Sequence, residues 1–373
     1  MAMKMTYEKY LIEKAVLKHI PLNASLELLP LCNMNCDMCY VRLSKEEMEN
    51  LGRLRTADEW LTLAKQMQEA GTLFILLTGG EPLLYPEFKK VYMGLRKMGM
   101  ILTVNTNGTL INEKWADFFA ENLPRRINIT LYGTTEETYE KLCHYSDGFQ
   151  RTLQGIRLLR ERNIDVKING SLVKANKNDI KKIVKIANEL GAGVNIDTYM
   201  YPAVRERNRP FNVQSRLLPE EAAKGHLIIL KEQMGEEAYR IMAEEKVRSM
   251  EQMEADTEDL REMRCQAGRS SFTVNWQGYM RPCVMLTEPS FPIFTMDFKT
   301  AWKQLGEQIE EIRISSRCSR CKFRTACQTC AACAFLETGS YKGVPEYMCR
   351  YTGETLRLLQ EYLQENPEAE KNG

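Results

Sequence analysis

From residue 24 to about residue 200 the chain alternates short apolar runs with longer stretches of helical periodicity, and few folds accept that alternation. The runs are Ser25–Leu29, Leu73–Leu77, Ile101–Asn105, Arg126–Leu131, Val166–Val173 and Val194–Tyr199. Apolar strands separated by helices need crossover connections, so the pattern predicts a parallel sheet. Taken alone, it leaves the sheet either open or rolled into a barrel. Start signals support the helices between. Thr56-Ala57-Asp58-Glu59 reads as a capping box, its hydroxyl and carboxylate each satisfying an orphan backbone donor. Thr134-Thr135-Glu136-Glu137 is expected to repeat the device, and Pro86 suits the first turn of another helix.

Just past the first run lies Cys32-Asn33-Met34-Asn35-Cys36-Asp37-Met38-Cys39. Three thiolates at this spacing can hold three corners of a [4Fe–4S] cube and leave the fourth iron open to a chelating small molecule. Zinc is the competing use of close cysteines, but it wants four ligands, and only His19 of the chain's three histidines lies nearby. Past the second run stands Thr78-Gly79-Gly80-Glu81-Pro82. With these two motifs the chain resembles the radical S-adenosylmethionine (SAM) superfamily. The resemblance implies an α/β fold, a partial (β/α)6 TIM-like barrel. Both motifs then fall at the C-terminal ends of strands, where barrels gather function.

The same resemblance implies that Cys32, Cys36 and Cys39 ligate a cluster whose open iron chelates SAM. One electron then cleaves SAM to a 5′-deoxyadenosyl radical, which takes a hydrogen from the substrate. Gly79 and Gly80 would allow close backbone approach to the methionine part, and Glu81 would offer a carboxylate to its ammonium. Thr130, ending the fourth strand, is the candidate ribose contact. Asn107, in Asn105-Thr106-Asn107-Gly108, is a further cofactor candidate, with a polar turn capping the strand as the plainer reading. The residue before the third cysteine is usually aromatic in the family; here it is Met38, left to pack the adenine alone. The arginine that related enzymes carry beyond the ribose contact is replaced by Leu142-Cys143-His144.

Eight of the twelve cysteines follow residue 260. Cys318-x2-Cys321-x5-Cys327, with Gly278-x4-Cys283 upstream and Cys349 downstream, resembles the SPASM extension, a twin-cluster domain found on peptide-modifying radical SAM enzymes. Three cysteines for the open cluster and four for each of two closed ones make eleven of the twelve. Cys143 is left over and reads as a buried apolar residue, with a ligand or acid/base role beside His144 as its alternative. The resemblance gives one auxiliary cluster Cys318, Cys321, Cys327 and Cys349. It gives the other Cys265 and Cys283, with Cys330 and Cys333 as the remainder, because Ala331 stands where the family usually has its next cysteine. A zinc ribbon is the bland alternative, disfavoured by the odd thiol counts. Phe272–Trp276 and Tyr279–Arg281 around Gln277-Gly278 are expected to form a hairpin that presents Cys283.

The expected organisation is an N-terminal extension (1–23), the barrel (24–215), a helical bridge (216–260), the SPASM domain (261–352) and a C-terminal helix and tail (353–373). A net charge of +1 gives no reason to invoke nucleic acid or an anionic membrane. The chain has no apolar run of the roughly 18 residues a membrane span needs and no export signal, so the cysteines imply a reducing cytosol. Arg205-Glu206-Arg207-Asn208-Arg209, past the sixth strand, is a candidate grip on an acidic peptide, with a solvated loop as its default. Lys181, Lys182 and Lys185 read as the wet face of a helix.

Two auxiliary clusters fit oxidation or cross-linking of a ribosomally made peptide by a thioether or carbon–carbon bond. The catalytic acid or base is not identified. The 31 residues before Cys32 are too few for a leader-binding domain, so a separate recognition protein or the barrel itself must read the peptide. Flavodoxin or ferredoxin is the expected electron donor. Sulfatase maturation is an alternative, weakened because Val284 stands where those enzymes usually place an Asp base. Small-molecule dehydrogenation is another. A non-catalytic three-cluster electron carrier would need neither the barrel nor the Gly-Gly-Glu turn.

Overall fold

A computed structural model describes residues 6–202, 215–251 and 265–367; the arginine-rich run at 205–209 and the tail from 368 lie outside them. The spine is one sheet. Its strands are β1 (Asn23–Glu27), β2 (Phe74–Thr78), β3 (Ile101–Thr106), β4 (Arg126–Thr130), β5 (Val166–Ser171), β6 (Gly193–Asp197), β7 (Ser271–Val274), β8 (Tyr279–Arg281) and β9 (Phe291–Pro292). They lie in the order β6-β5-β4-β3-β2-β1-β7-β8-β9. The first six run parallel, with Ala24 opposite Ile75, Ile75 opposite Leu102, Val104 opposite Ile127 and Ile129 opposite Ile168. Among the described residues no strand pairs with the outer side of β6, so the barrel is partial.

Ahead of β1 lies α1 (Tyr7–Lys18), and helices fill the crossovers: α2 (Lys45–Leu51), α3 (Ala57–Glu69), α4 (Phe88–Lys97), α5 (Glu113–Glu121), α6 (Glu136–Cys143), α7 (Gly148–Glu161) and α8 (Ile180–Glu189). The remainder are α9 (Pro219–Met234), α10 (Glu236–Glu251), α11 (Phe298–Glu311), α12 (Ser316–Ser319), α13 (Ala331–Thr338) and α14 (Glu346–Glu365). Alternate strand residues, among them Leu26, Ile75, Leu77, Val104, Ile127, Ile129 and Ile168, are buried in the core. Each contributes about 1.5–3 kcal/mol by leaving water. The intervening Ser25, Thr103, Asn128 and Lys167 line a barrel cavity of about 420 Å³. Phe74 and Leu76 of β2 line the same cavity, so that strand is apolar on both faces.

Thr56 forms its capping box: its hydroxyl accepts from the Glu59 N–H at 3.2 Å, and the Glu59 carboxylate accepts from the Thr56 N–H at 2.8 Å. The box expected at Thr134 is different. Thr135 is the cap, but Thr138 rather than a Glu stands three residues on, and Glu136 instead accepts the first N–H groups of α7 from Phe149 and Gln150. Pro86 precedes α4 instead of entering its first turn.

The expected hairpin forms as β7 and β8, and β7 also pairs in parallel with β1, Ala24 opposite Phe272. The C-terminal cysteine region is therefore built onto the barrel sheet. α9, α10 and α14 pack together around Leu227, Tyr239, Ala243 and Leu359. α14 starts at Glu346, ahead of the expected boundary at 353, because Pro345 closes the preceding loop; Cys349 thus sits in its first turn.

Candidate functional site

The cysteine loop leaves the C-terminal end of β1. Cys32 Sγ accepts the Met34 N–H at 3.4 Å, and Cys39 Sγ accepts the Arg42 N–H at 3.3 Å. Burial, then the Glu81 carboxylate, then the thiols of Cys36 and Cys39 push the Cys32 thiol far above its usual range. Three bare thiolates would repel one another here, so the loop suits a group that brings positive charge, such as an iron cluster. Among the described residues no three His, Cys, Asp or Glu side chains converge on one point as a single ion requires.

The Gly-Gly-Glu turn lies directly against this loop. Gly80 N–H donates to Leu29 O at 2.7 Å and Glu81 N–H to Leu31 O at 2.8 Å. A Cβ on Gly79, where φ is +149°, would lie 2.4 Å from Leu29 O, and one on Gly80 would lie 2.2 Å from Leu31 O. The close approach that demands glycine is therefore to the cysteine loop's own backbone. Glu81 is fully buried; its Oε1 accepts from Thr106 Oγ1 at 2.8 Å and Leu83 N at 3.0 Å, and its Oε2 from Asn107 N at 2.8 Å. Burial raises its carboxyl to about 7 against those three donors.

Asn107 joins the two motifs. Its Nδ2 donates to Asn33 Oδ1 at 2.9 Å and approaches Cys32 Sγ at 3.7 Å. Its Oδ1 accepts from the Thr109 hydroxyl at 2.6 Å, and that hydroxyl accepts in turn from Asn33 Nδ2 at 2.9 Å. Thr130 ends β4, opposite Asn169 of β5. Tyr132, two residues on, was not apparent from the sequence; it packs half-buried against the core, and burial of its phenol, then the loop cysteines and Cys143, hold it well above the ordinary range.

Met38 and Tyr40 open onto a cavity of about 950 Å³ that runs to the C-terminal region. Its walls include Tyr199, Tyr201, His226, Tyr351, Cys265, Cys283 and Cys330. A second cavity, of about 650 Å³, is lined by Cys318, Cys321, Cys327 and Cys349, and Cys265 and Cys330 line it too. Those two cysteines, with Ala331 and Met348, form the wall common to both cavities. Cys333 lines neither: it is buried, and its Sγ lies 3.1 Å from the Tyr199 hydroxyl. Tyr199 donates onward to Glu337 at 2.7 Å, and Glu337 pairs with Arg216, whose guanidinium stacks 3.7 Å from the Tyr347 ring centre. Sequence reasoning missed this network; the one local sign is Tyr199 and Tyr201 two apart after the sixth strand.

Residues 26–187 match the model of the radical SAM superfamily. The AdoMet-dependent heme synthase of Methanosarcina barkeri is 26% identical over 322 residues, covering 83% of this chain and 91% of that protein. The sporulation killing factor maturation protein SkfB of Bacillus subtilis is 25% identical over 177 residues, covering 47% of this chain and 41% of that protein. In three dimensions, native anSMEcpe with bound AdoMet superposes with a TM-score of 0.69 at 19% identity, covering 92% of this chain and 98% of that one.

Proposed function

We propose that this chain, which carries a radical SAM domain over residues 26–187, is a SPASM-type oxidoreductase that modifies a ribosomally made peptide. In this reading Cys32, Cys36 and Cys39 hold the SAM-binding cluster, and Cys318, Cys321, Cys327 and Cys349 hold one auxiliary cluster. Cys265, Cys283 and Cys330 gather about the other, which Cys333 joins only by leaving Tyr199. Bound there, the clusters and SAM supply one-electron chemistry: a 5′-deoxyadenosyl radical to take a substrate hydrogen and a sink for the electron left behind. The protein's own part is orientation and exclusion of water. Asn107 and Glu81 fix the cysteine loop, Met38 packs against the adenine, Thr130 meets the ribose, and the tyrosine walls keep the reacting segment dry.

The observation that carries this reading is the pair of cavities in series. The first touches the cysteine loop at Met38 and the auxiliary set at Cys265, Cys283 and Cys330, so one substrate can reach both. The second shares Cys265 and Cys330, which gives an electron a short way outward. At about 950 Å³ the first cavity is at the upper end for small-molecule sites, with room for a peptide loop. Among the described residues no helix is long and apolar enough to cross a membrane, which is compatible with a cytosolic enzyme fed by flavodoxin or ferredoxin.

The test is anaerobic reconstitution with iron and sulfide, then SAM and dithionite. The expected result is 5′-deoxyadenosine from the full chain and none from a variant with Cys32, Cys36 and Cys39 all replaced by Ala. Co-expression with a short Cys-bearing precursor encoded beside the gene should give a peptide lighter by two hydrogens. No 5′-deoxyadenosine from the clustered chain would sink the proposal. A second reading, a haem-forming enzyme, is favoured by the nearly full-length match to the archaeal heme synthase. Haem formed in the same assay, with the peptide unaltered, would select it.

A further inference from the structure

Counting cysteines leaves Cys143 outside every cluster, yet the fold brings it against the SAM-binding loop. It is the last residue of α6 and is fully buried. Its carbonyl accepts the Asn35 N–H at 2.9 Å, and the Leu142 carbonyl accepts the Asp37 N–H at 3.0 Å. His144, in the left-handed conformation that ends the helix, places Nε2 2.8 Å from Asp37 Oδ1. The orphan carbonyls of a helix end are thus satisfied by the backbone on either side of Cys36. Those two backbone bonds bracket Cys36, and the buried Cys143 side chain shares its core cluster with Cys36.

We propose that Cys143 is a positioning residue for the SAM-binding cluster: its thiol donates to the Cys36 sulfur while the end of α6 clamps residues 35–37. This rests on the reading of Cys32, Cys36 and Cys39 as cluster ligands. Each of the three sulfurs then has a donor, from Met34 N–H at Cys32, Arg42 N–H at Cys39 and the Cys143 thiol at Cys36. Donors to ligand sulfurs stabilise the more negative, reduced state of a cluster and so raise its potential. The pair lies buried in the same core cluster as Tyr139, away from bulk water, where such a bond is stronger than in water.

The experiment compares Cys143→Ala and Cys143→Ser with the parent, all reconstituted as full chains. Iron content is measured, and so is the midpoint potential of the cluster whose EPR signal changes when SAM is added. Cys143→Ala should keep its iron while the equilibrium constant for reducing that cluster falls about two- to tenfold, the span of one hydrogen bond. Cys143→Ser, which keeps a donor, should restore the parent potential. An unchanged potential in Cys143→Ala overturns the proposal and leaves Cys143 as core filler. An equal fall in both variants also overturns it, because packing would then be the cause. Loss of about four irons would make Cys143 a ligand instead. Failure of the underlying reading is separate: there the Cys32, Cys36 and Cys39 triple variant would retain the SAM-responsive signal.

Discussion

The Glu81 carboxylate already accepts from Thr106, Leu83 and Asn107, so it ties the ends of β2 and β3 together as well as facing Cys32. Glu81→Gln puts an amide donor against one of those donors and leaves a buried group unpaired, at about 1–3 kcal/mol. The expected outcome is a lower Tm together with weaker SAM binding at unchanged iron content. Calorimetry and a SAM titration on the same sample check it; a loss of SAM affinity with an unaltered Tm would show that the tie is not structural. His226, in the large cavity, reports on pH. Burial, then Lys246, lowers its imidazole to about 4 from the ordinary 6.5. The unfolded chain takes the proton first, so stability is lost as pH falls from about 6.5 towards 4, by up to roughly 3 kcal/mol. Urea unfolding at pH 7 and pH 5 should show that loss, and His226→Gln should flatten it.

At the scale of elements, α13 sets which thiols can meet. Cys330 caps its start, accepting the Cys333 N–H at 3.4 Å, while Cys333 faces the other way, onto Tyr199. Cys283→Ala is therefore expected to remove about four irons, one cluster's worth, and Cys333→Ala to remove few. Iron analysis after reconstitution decides it, and equal losses would mean that the Tyr199 contact breaks when the cluster enters. The strands and the two barrel motifs were legible because each is local: an apolar run bounded by turns, or a loop of close cysteines. The glycines at 79 and 80 were also legible, but the partner they approach was not. Leu29 and Leu31 reach them only once β1 and β2 pair. The box expected over Thr134–Glu137 was misread for a similar reason, since Glu136 finds its partner at the start of the next helix, set by the αα turn and not by its own segment. Tyr199, Glu337 and Arg216 come from three distant stretches, and nothing in their spacing announces a network.

Over the whole molecule, one sheet carries both cysteine regions, and the iron expected from full reconstitution is about twelve per chain. The Cys32–Cys39 loop follows β1, and Cys283 follows β8, two strands away in the same sheet. Their separation is therefore set by strand spacing. β7 also covers the flank of β1, so that Leu26 lies beside Val274. Ending the chain after residue 251 would remove β7 together with Phe272 and its ring partners Phe298 and Trp302, and would bare the flank of β1. Such a truncation is expected to be insoluble, and a soluble, SAM-cleaving fragment would contradict it. The pairing of β7 with β1 has a consequence for engineering. The cysteine-rich half is not an interchangeable module, and a graft between relatives must carry β1 and its loop along with the graft, so the two halves can only be exchanged, and can only diverge, as a matched set.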